Sequence, residues 1–404
     1  IDRLELIKSQ GSVLYGSDAI GGTVNILSKS SGFRDKEGFF SHGAAYYRFD
    51  TNSESNLGRL EQTLGVGGKW GLMLGVSAKD VGDIKDSALD RMVGTGYSED
   101  SLDFKFEYAL SEARTLTLAS TYLEQDDINR WHNTTANQGW VHGNSFTTAG
   151  TDLQRTYDQE RSLTYLRLED SESSISWIER WQLTASFQKS QDSEFRVRAS
   201  GQQDLKILDV DTYGLSFQAE SFIGAGNLTW GADFYRDEID SEGYRNGATR
   251  PSNRPVADDS SNDSLGVFAT FSHDLTDRFS YDLGARFSYA AADWNGYRPT
   301  GALVDQAGDA DWTNLSLSIR GNYEFNDNWS TYGGLSQAFR APNLDDLTGS
   351  QFSLNGLDSN GSPNVDPENY LTAELGGRFA NNHLSYQIAS YYTFIDDAIT
   401  RVDD

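Results

Sequence analysis

The chain of 404 residues contains no cysteine, which removes disulfide frameworks, thiolate catalysis and cysteine-held metals together. It has no run approaching about 18 apolar residues, the length a membrane-crossing helix needs. Its first residues show no charged start followed by an apolar stretch, so no secretory leader is read in them. Positive charge is scarce. Lys and Arg number 33 against 60 Asp and Glu, a formal net charge of −27. A field of that sign repels phosphate and argues against nucleic acid as a partner.

Aromatic residues, in contrast, are plentiful. Tyr, Phe and Trp number 20, 21 and 9 in a chain whose mean hydropathy is −0.57. A transmembrane β-barrel reconciles the two figures, because one face of each strand meets a wet lumen and aromatics gather at the membrane interfaces. The order of residues points the same way. Between 315 and 325, Leu315, Leu317, Ile319, Tyr323 and Phe325 alternate with Ser316, Ser318, Arg320, Asn322 and Glu324. Between 279 and 289, Phe279, Tyr281, Leu283, Ala285, Phe287 and Tyr289 alternate with Ser280, Asp282, Arg286 and Ser288. A period of two places one set on each face of a strand.

About 15 such strands are read from residue 39 onward, by the alternation rule for strands. Short connections near Lys69–Gly71, Ser111–Arg114, Gly224–Gly226, Asp274–Asp277, Asn326–Asn328 and Asn381–His383 take turns with longer ones at 84–100, 127–158, 241–262, 293–311 and 341–368. Outer-membrane barrels have short periplasmic turns and long external loops, so the alternation also orients the chain.

Residues 1–30 stand apart from this pattern. Leu4–Lys8 and Thr23–Leu27 read as short strands around a glycine-punctuated turn, Tyr15–Gly22. Ile1–Lys29 resembles the end of the plug domain of TonB-dependent outer-membrane receptors, through Glu5, Lys8, Leu14-Tyr15-Gly16, Ala19, Gly21-Gly22 and Asn25. It departs at Ser9-Gln10, where the family usually has Gly-Pro. Downstream, Ser336-Gln337-Ala338-Phe339-Arg340-Ala341-Pro342-Asn343-Leu344 resembles a strand end and loop start of the same receptors. Pro363–Glu368 followed by Glu374-Leu375-Gly376 is similar to the return from that loop.

The resemblance implies an all-β transmembrane barrel of the 22-strand type, with residues 1–30 as the end of a plug and 31–404 as an incomplete barrel. It implies a receptor in the bacterial outer membrane that breaks no bond. A scarce metal chelate, an iron source such as a ferric siderophore or haem, docks on the external loops and plug. The TonB inner-membrane complex then drives it inward. Lipopolysaccharide and outer-membrane lipid are the implied surroundings. No cofactor is expected.

Three loop clusters are candidate sites. Trp131, His132, Trp140 and His142 could cover and ligate haem iron, or simply pack on one another. Arg245, Arg250 and Arg254 offer planar forks suited to carboxylate, catecholate or phosphate, on a chelate or on lipopolysaccharide. Asp80, Asp83, Asp86 and Asp90 could hold calcium through oxygen, although their spacing is not that of an EF-hand and a solvated acidic face explains them equally. A cobalamin receptor of the same family, a passive porin or barrel enzyme, and a β-rich adhesion protein that binds glycans are the other readings. Residues 1–30 argue against the plugless ones.

Overall fold

Alternation becomes extended structure along the chain, and each long strand pairs antiparallel with its neighbour in sequence. The computed structural model describes residues 2–8, 12–17, 19–87, 90–136, 141–142, 145–146, 150–299, 302–352 and 358–400. A hairpin comes first, β1 (Arg3–Lys8) with β2 (Gly22–Leu27), and the one-turn helix α1 (Ser12–Tyr15) sits between them. Then come β3 (Phe39–Asp50), β4 (Ser55–Val66), β5 (Trp70–Val81), β6 (Tyr97–Ala109) and β7 (Arg114–Asn129). β8 (Gln154–Asp170), β9 (Arg180–Val197), β10 (Gln203–Ile223), β11 (Gly226–Arg245) and β12 (Asp258–Thr276) follow. β13 (Phe279–Tyr297), β14 (Gln306–Asn326), β15 (Trp329–Arg340), β16 (Glu368–Ala380) and β17 (Ser385–Asp396) complete the path. These fifteen strands from β3 to β17 form one uncrossed sheet, to which the two-residue strand Ala248–Thr249 adds beside β11.

The two faces differ as the alternation requires. On β14, Leu315, Leu317 and Ile319 are 57, 49 and 51% exposed, whereas Ser316 between them is 3% exposed. Leu265 and Val267 on β12 and Leu283 and Phe287 on β13 continue this exposed apolar band. An apolar surface of that extent has lipid as its solvent. The opposite, inner face carries α1, which packs against β12 to β15.

The short turns share one end of the sheet, and so do the clustered rings. Trp329 lies 4.7 Å from Phe379, Phe379 lies 5.4 Å from Tyr386, and Tyr323 lies 5.1 Å from Phe325, all beside the turns at 327–328 and 381–384. Trp177 stacks on Trp230 at 5.5 Å near the turn at 224–225. This is an aromatic girdle at one membrane interface. Gly224 takes φ +61° in its two-residue turn, a conformation that costs glycine nothing.

On the other end the irregular connections are 82–96, 130–153, 246–257, 298–305 and 341–367, with tight turns at 51–54 and 198–202. These segments are shorter than the alternation pattern suggests because strand pairing runs on into them. β10, β11 and β14 have 21, 20 and 21 residues, whereas about 9–11 suffice to cross a membrane. Roughly half of each therefore stands beyond the membrane. In that half both faces are wet, so the apolar–polar alternation that marks a strand disappears; Asp258-Asp259-Ser260-Ser261-Asn262-Asp263 opens β12.

Candidate functional site

The three motif segments that lie far apart in the sequence meet in the fold. Glu5 and Asn25 face each other across the β1–β2 ladder, and Asn25 Nδ2 donates to Glu5 Oε2 at 3.1 Å. Gly16 follows α1 at φ +86°, with the Arg286 guanidinium beside it. Ser17 Oγ then accepts from the Ala341 backbone N–H at 3.3 Å, which joins the first motif to the second. Arg340 Nη2 reaches Asp346 Oδ2 at 2.7 Å, and its Nη1 lies 3.5 Å from Glu368 Oε2, which brings in the third. Phe339 and Leu344 are buried, and Pro342 is fully so. Asn343 caps helix α2 (Leu344–Thr348) in a reciprocal capping box with Asp346. A Cβ added at Gly21 would meet open space, and Gly22 starts β2 at φ +145°. For Tyr15 the backbone alone is described, as the last residue of α1. Ser9 and Gln10 lie outside the described residues.

Helix α2 folds back on the inner wall. Leu344 and Leu347 pack with Ile239, Ala257, Ala292, Trp294 and Tyr297 in a buried apolar cluster. Thr348 Oγ1 accepts from the Ala257 N–H at 3.0 Å, and Tyr297 donates to the Gly361 carbonyl at 3.0 Å. The long 341–367 connection is thus seated by both apolar burial and hydrogen bonds.

A second set of contacts ties the segment after the hairpin to the wall. Glu107, on the inner face of β6, is only 8% exposed and accepts from Ser30 Oγ at 3.0 Å, Ser31 N at 2.8 Å and Ser31 Oγ. Lys105 Nζ donates to Ser28 Oγ and to the Lys29 carbonyl at 2.6 and 2.8 Å. Arg34 covers the carbonyls of Ser111, Glu112 and Arg114 at the turn between β6 and β7.

The loop candidates take up separate positions. Trp131 and His132 form a 3-10 turn with Asn133, and His132 is exposed. His142 is described by backbone only, opposite Ser145, and Trp140 lies outside the described residues. Among the acidic candidates, Asp83 Oδ1 accepts from the N–H groups of Gly94, Thr95 and Gly96 at 2.8, 2.9 and 3.2 Å, so it closes its own loop. Asp80 sits in β5, while Asp86 pairs with Asp90 in a short ladder in which only the Asp90 backbone is described. Among the described residues no group of three possible ligands that could hold a metal ion is gathered.

The three arginines divide. Arg245 turns inward, with Nε 2.8 Å from Asp204. Arg254 pairs with Asp258 at 2.9 Å and Asp305 at 3.3 Å, and Arg250 is exposed. Next to Arg245 lies a cavity of about 510 Å³ whose lining includes Arg130, Arg155, Tyr157, Arg196, Arg198 and Lys206. Asp345 of α2 and Val256 also border it. Sequence reasoning passed over these cations because they come from four segments and are interspersed with Asp and Glu. The available signal was parity: Glu194 and Arg196 share one face of β9, and Arg198 follows in the turn.

Residues 10–404 match the family model described as TonB dependent receptor-like, beta-barrel. The chain belongs to the TonB-dependent receptors. The vitamin B12 transporter BtuB of Vibrio vulnificus (strain CMCP6) is 24% identical over 404 residues, which are 99% of this chain and 55% of that protein. The copper transporter OprC superposes with a TM-score of 0.78 at 18% identity, covering 98% of this chain and 59% of that one. A double mutant of the Serratia marcescens hemophore receptor HasR, in complex with its hemophore HasA and heme, gives 0.77 at 15%, covering 98% and 60%. The chain therefore spans little more than half the length of the proteins it matches. Members of this family of outer-membrane barrels are receptors and transporters, not enzymes, in keeping with the expectation from sequence.

Proposed function

We propose that the protein is a receptor for energy-driven uptake across the bacterial outer membrane, with a metal chelate as cargo and an iron source as its favoured form. In this reading residues 1–30 are the end of the plug and 31–404 are barrel wall. TonB supplies the pull from the periplasm, and lipopolysaccharide surrounds the apolar band. The observation that carries it is the junction at Ser17, Ala341, Arg340 and Glu368. A segment lodged against the inner wall is joined to an external loop, so occupancy of one can bias the position of the other. A passive pore gains nothing from such a junction.

Cobalamin is the second reading, favoured by the relative named for vitamin B12 transport. Both are tested by deleting the gene in the source bacterium. Accumulation of radio-iron as siderophore or haem is compared with that of labelled cyanocobalamin, before and after an uncoupler. The expected result is uptake of one iron source that needs both the gene and an energised inner membrane. Gene-dependent uptake of cyanocobalamin alone establishes the second reading. Entry unaffected by the uncoupler overturns both.

A further inference from the structure

We infer that the barrel wall itself holds a lipid site, a groove where β14 parts from β15, whose ligand is an acyl chain bearing amide or hydroxyl oxygens near its head. The inference rests on the barrel and its apolar band alone and is independent of the cargo.

The register shows the parting. β14 pairs with β13 along almost its whole length, from Tyr323 opposite Phe279 to Gln306 opposite Tyr297. On its other side it meets β15 only from Asn326 to Ser318, which stands opposite Ser336. Beyond that point β15 continues to Arg340 with β16 as its partner. Among the described residues, the segments 306–317 and 337–340 thus each have a strand on one side only. Side chains cross the break in place of a ladder. Gln337 Oε1 accepts from the Leu317 N–H at 3.1 Å, and Asn314 Nδ2 donates to Asn369 Oδ1 at 3.2 Å. Beside these bridges lies a groove of about 420 Å³, whose lining includes Leu315, Gln337, Asn369, Leu371, Phe394 and Asp396.

Height comes next. Leu315 precedes Tyr323, which belongs to the ring cluster at the short-turn end, by eight residues. At about 3.3 Å per residue and a tilt of about 40°, the groove lies roughly 20 Å from that interface, within an apolar band about 25 Å tall. That is the outer leaflet. Leu315, Leu371 and Phe394 are exposed side chains of the band, so the groove opens onto lipid.

Chemistry then narrows the occupant. An added strand does not fit, because it needs two ladder spacings of about 4.8 Å each where one glutamine side chain spans the break. Plain hydrocarbon fills the volume but meets polar backbone. The Leu317 N–H points into the break, and by the two-residue period of a strand the N–H and C=O of Leu315 point the same way, with no strand to meet them. Backbone groups left without partners in the hydrocarbon layer are costly. A chain with oxygens near its head can accept from them while its tail covers Leu315 and Phe394. The amides of Gln337 and Asn369 suit the same neutral oxygens, and the Asp396 carboxylate disfavours a phosphate beside them. Amide-linked, hydroxylated chains belong to the lipopolysaccharide anchor, not to phospholipid.

The test uses the purified full-length protein in a mild detergent, with lipid A and phosphatidylethanolamine as probes and native mass spectrometry to count the molecules retained. Wild type is expected to hold one lipid A more tightly than phosphatidylethanolamine. Leu315→Trp, which fills the groove, is expected to weaken that binding about ten-fold, the scale of one or two lost hydrogen bonds. Val267→Trp, elsewhere on the band, should leave it unchanged. Equal retention by wild type and folded Leu315→Trp overturns the site. Should that variant fail to assemble, Gln337→Leu must weaken lipid A binding by itself. Phosphatidylethanolamine held as tightly as lipid A overturns the assigned chemistry, and a dimer that Leu315→Trp dissolves would make the occupant a second copy of the chain and overturn the lipid.

Discussion

Arg286 and Asp233 form a two-pronged ion pair, 2.8 Å at Nη1 and 2.6 Å at Nη2, reaching from β13 past β12 to β11 beneath Gly16. Both side chains are largely buried. The reach is possible because position 266 on the intervening strand is glycine; a Cβ there would lie 1.8 Å from Arg286 Nη2. Arg286→Ala should therefore destabilise the barrel by about 3–5 kcal/mol, because it strands a buried carboxylate. Gly266→Ala should act in the same direction, and Arg286→Met with Asp233→Asn should recover much of the loss. Urea unfolding in micelles measures all three. Equal stability of Arg286→Ala and wild type would show that the pair bears no load.

Ile319 lies on the exposed apolar band and Asn314 on the inner face of the same strand. Arginine on the lipid side near the midplane costs about 2–4 kcal/mol and little in the lumen. Ile319→Arg should accordingly reduce the yield of assembled barrel, and Asn314→Arg should not. Heat-modifiable migration on gels reads the folded fraction. Matching yields would mean that the faces are assigned wrongly.

Glu107 is the acceptor that fixes residues 30 and 31 to the wall. Glu107→Ala leaves the Ser31 N–H without its partner, a penalty of about 1–3 kcal/mol. The segment 28–35 should then become cleavable by added protease in micelles while the strands stay protected. Protection identical to wild type would place the anchor elsewhere, with Arg34 the next residue to examine.

Asp204 offers a pH test outside the membrane. Burial pushes its pKa up, but hydrogen bonds from Arg245 and Arg198 outweigh burial and hold it below the ordinary 3.8. A carboxylate depressed in the folded state stabilises above its unfolded pKa, and that contribution is lost as pH falls through the folded value. The Arg198–Asp204–Arg245 knot should therefore hold at neutral pH and loosen only below about pH 4. With no native cysteine, Ser200→Cys can carry one spin label in the adjacent turn. The label should be immobile at neutral pH and mobile in acid, and Asp204→Asn should make it mobile throughout. A label equally mobile at neutral pH in both proteins would show that the knot does not order this turn.

Much of the fold is legible in the residues. Leu315 to Phe325 announces its strand because lipid and lumen impose opposite demands on adjacent side chains, and the same contrast marks most of the fifteen. Legibility ends where the membrane does. Beyond it water lies on both sides, so the end of β11 and the opening of β12 look like loop although they are paired strand. The candidate site follows the same rule. Phe339 to Leu344 is contiguous and could be read directly. The cavity depends on Arg155 falling opposite Arg196 and on Glu194 falling opposite Lys206, a register that no single stretch of sequence carries. Arg245 was visible as a loop cation, yet its partner Asp204 lies 41 residues away.

Strands that continue far past the bilayer make a stiff collar around the mouth. Ladders of 20 and 21 residues cannot flap as free loops do, since bending them would break consecutive cross-strand bonds. Any solute that reaches the inner side of these ladders thus meets a preformed wall, and little ordering entropy is lost on contact. Capture by that wall should be limited by diffusion and charge, with a shallow temperature dependence close to that of water's viscosity. Any slower, costlier rearrangement would fall to the connection that carries α2.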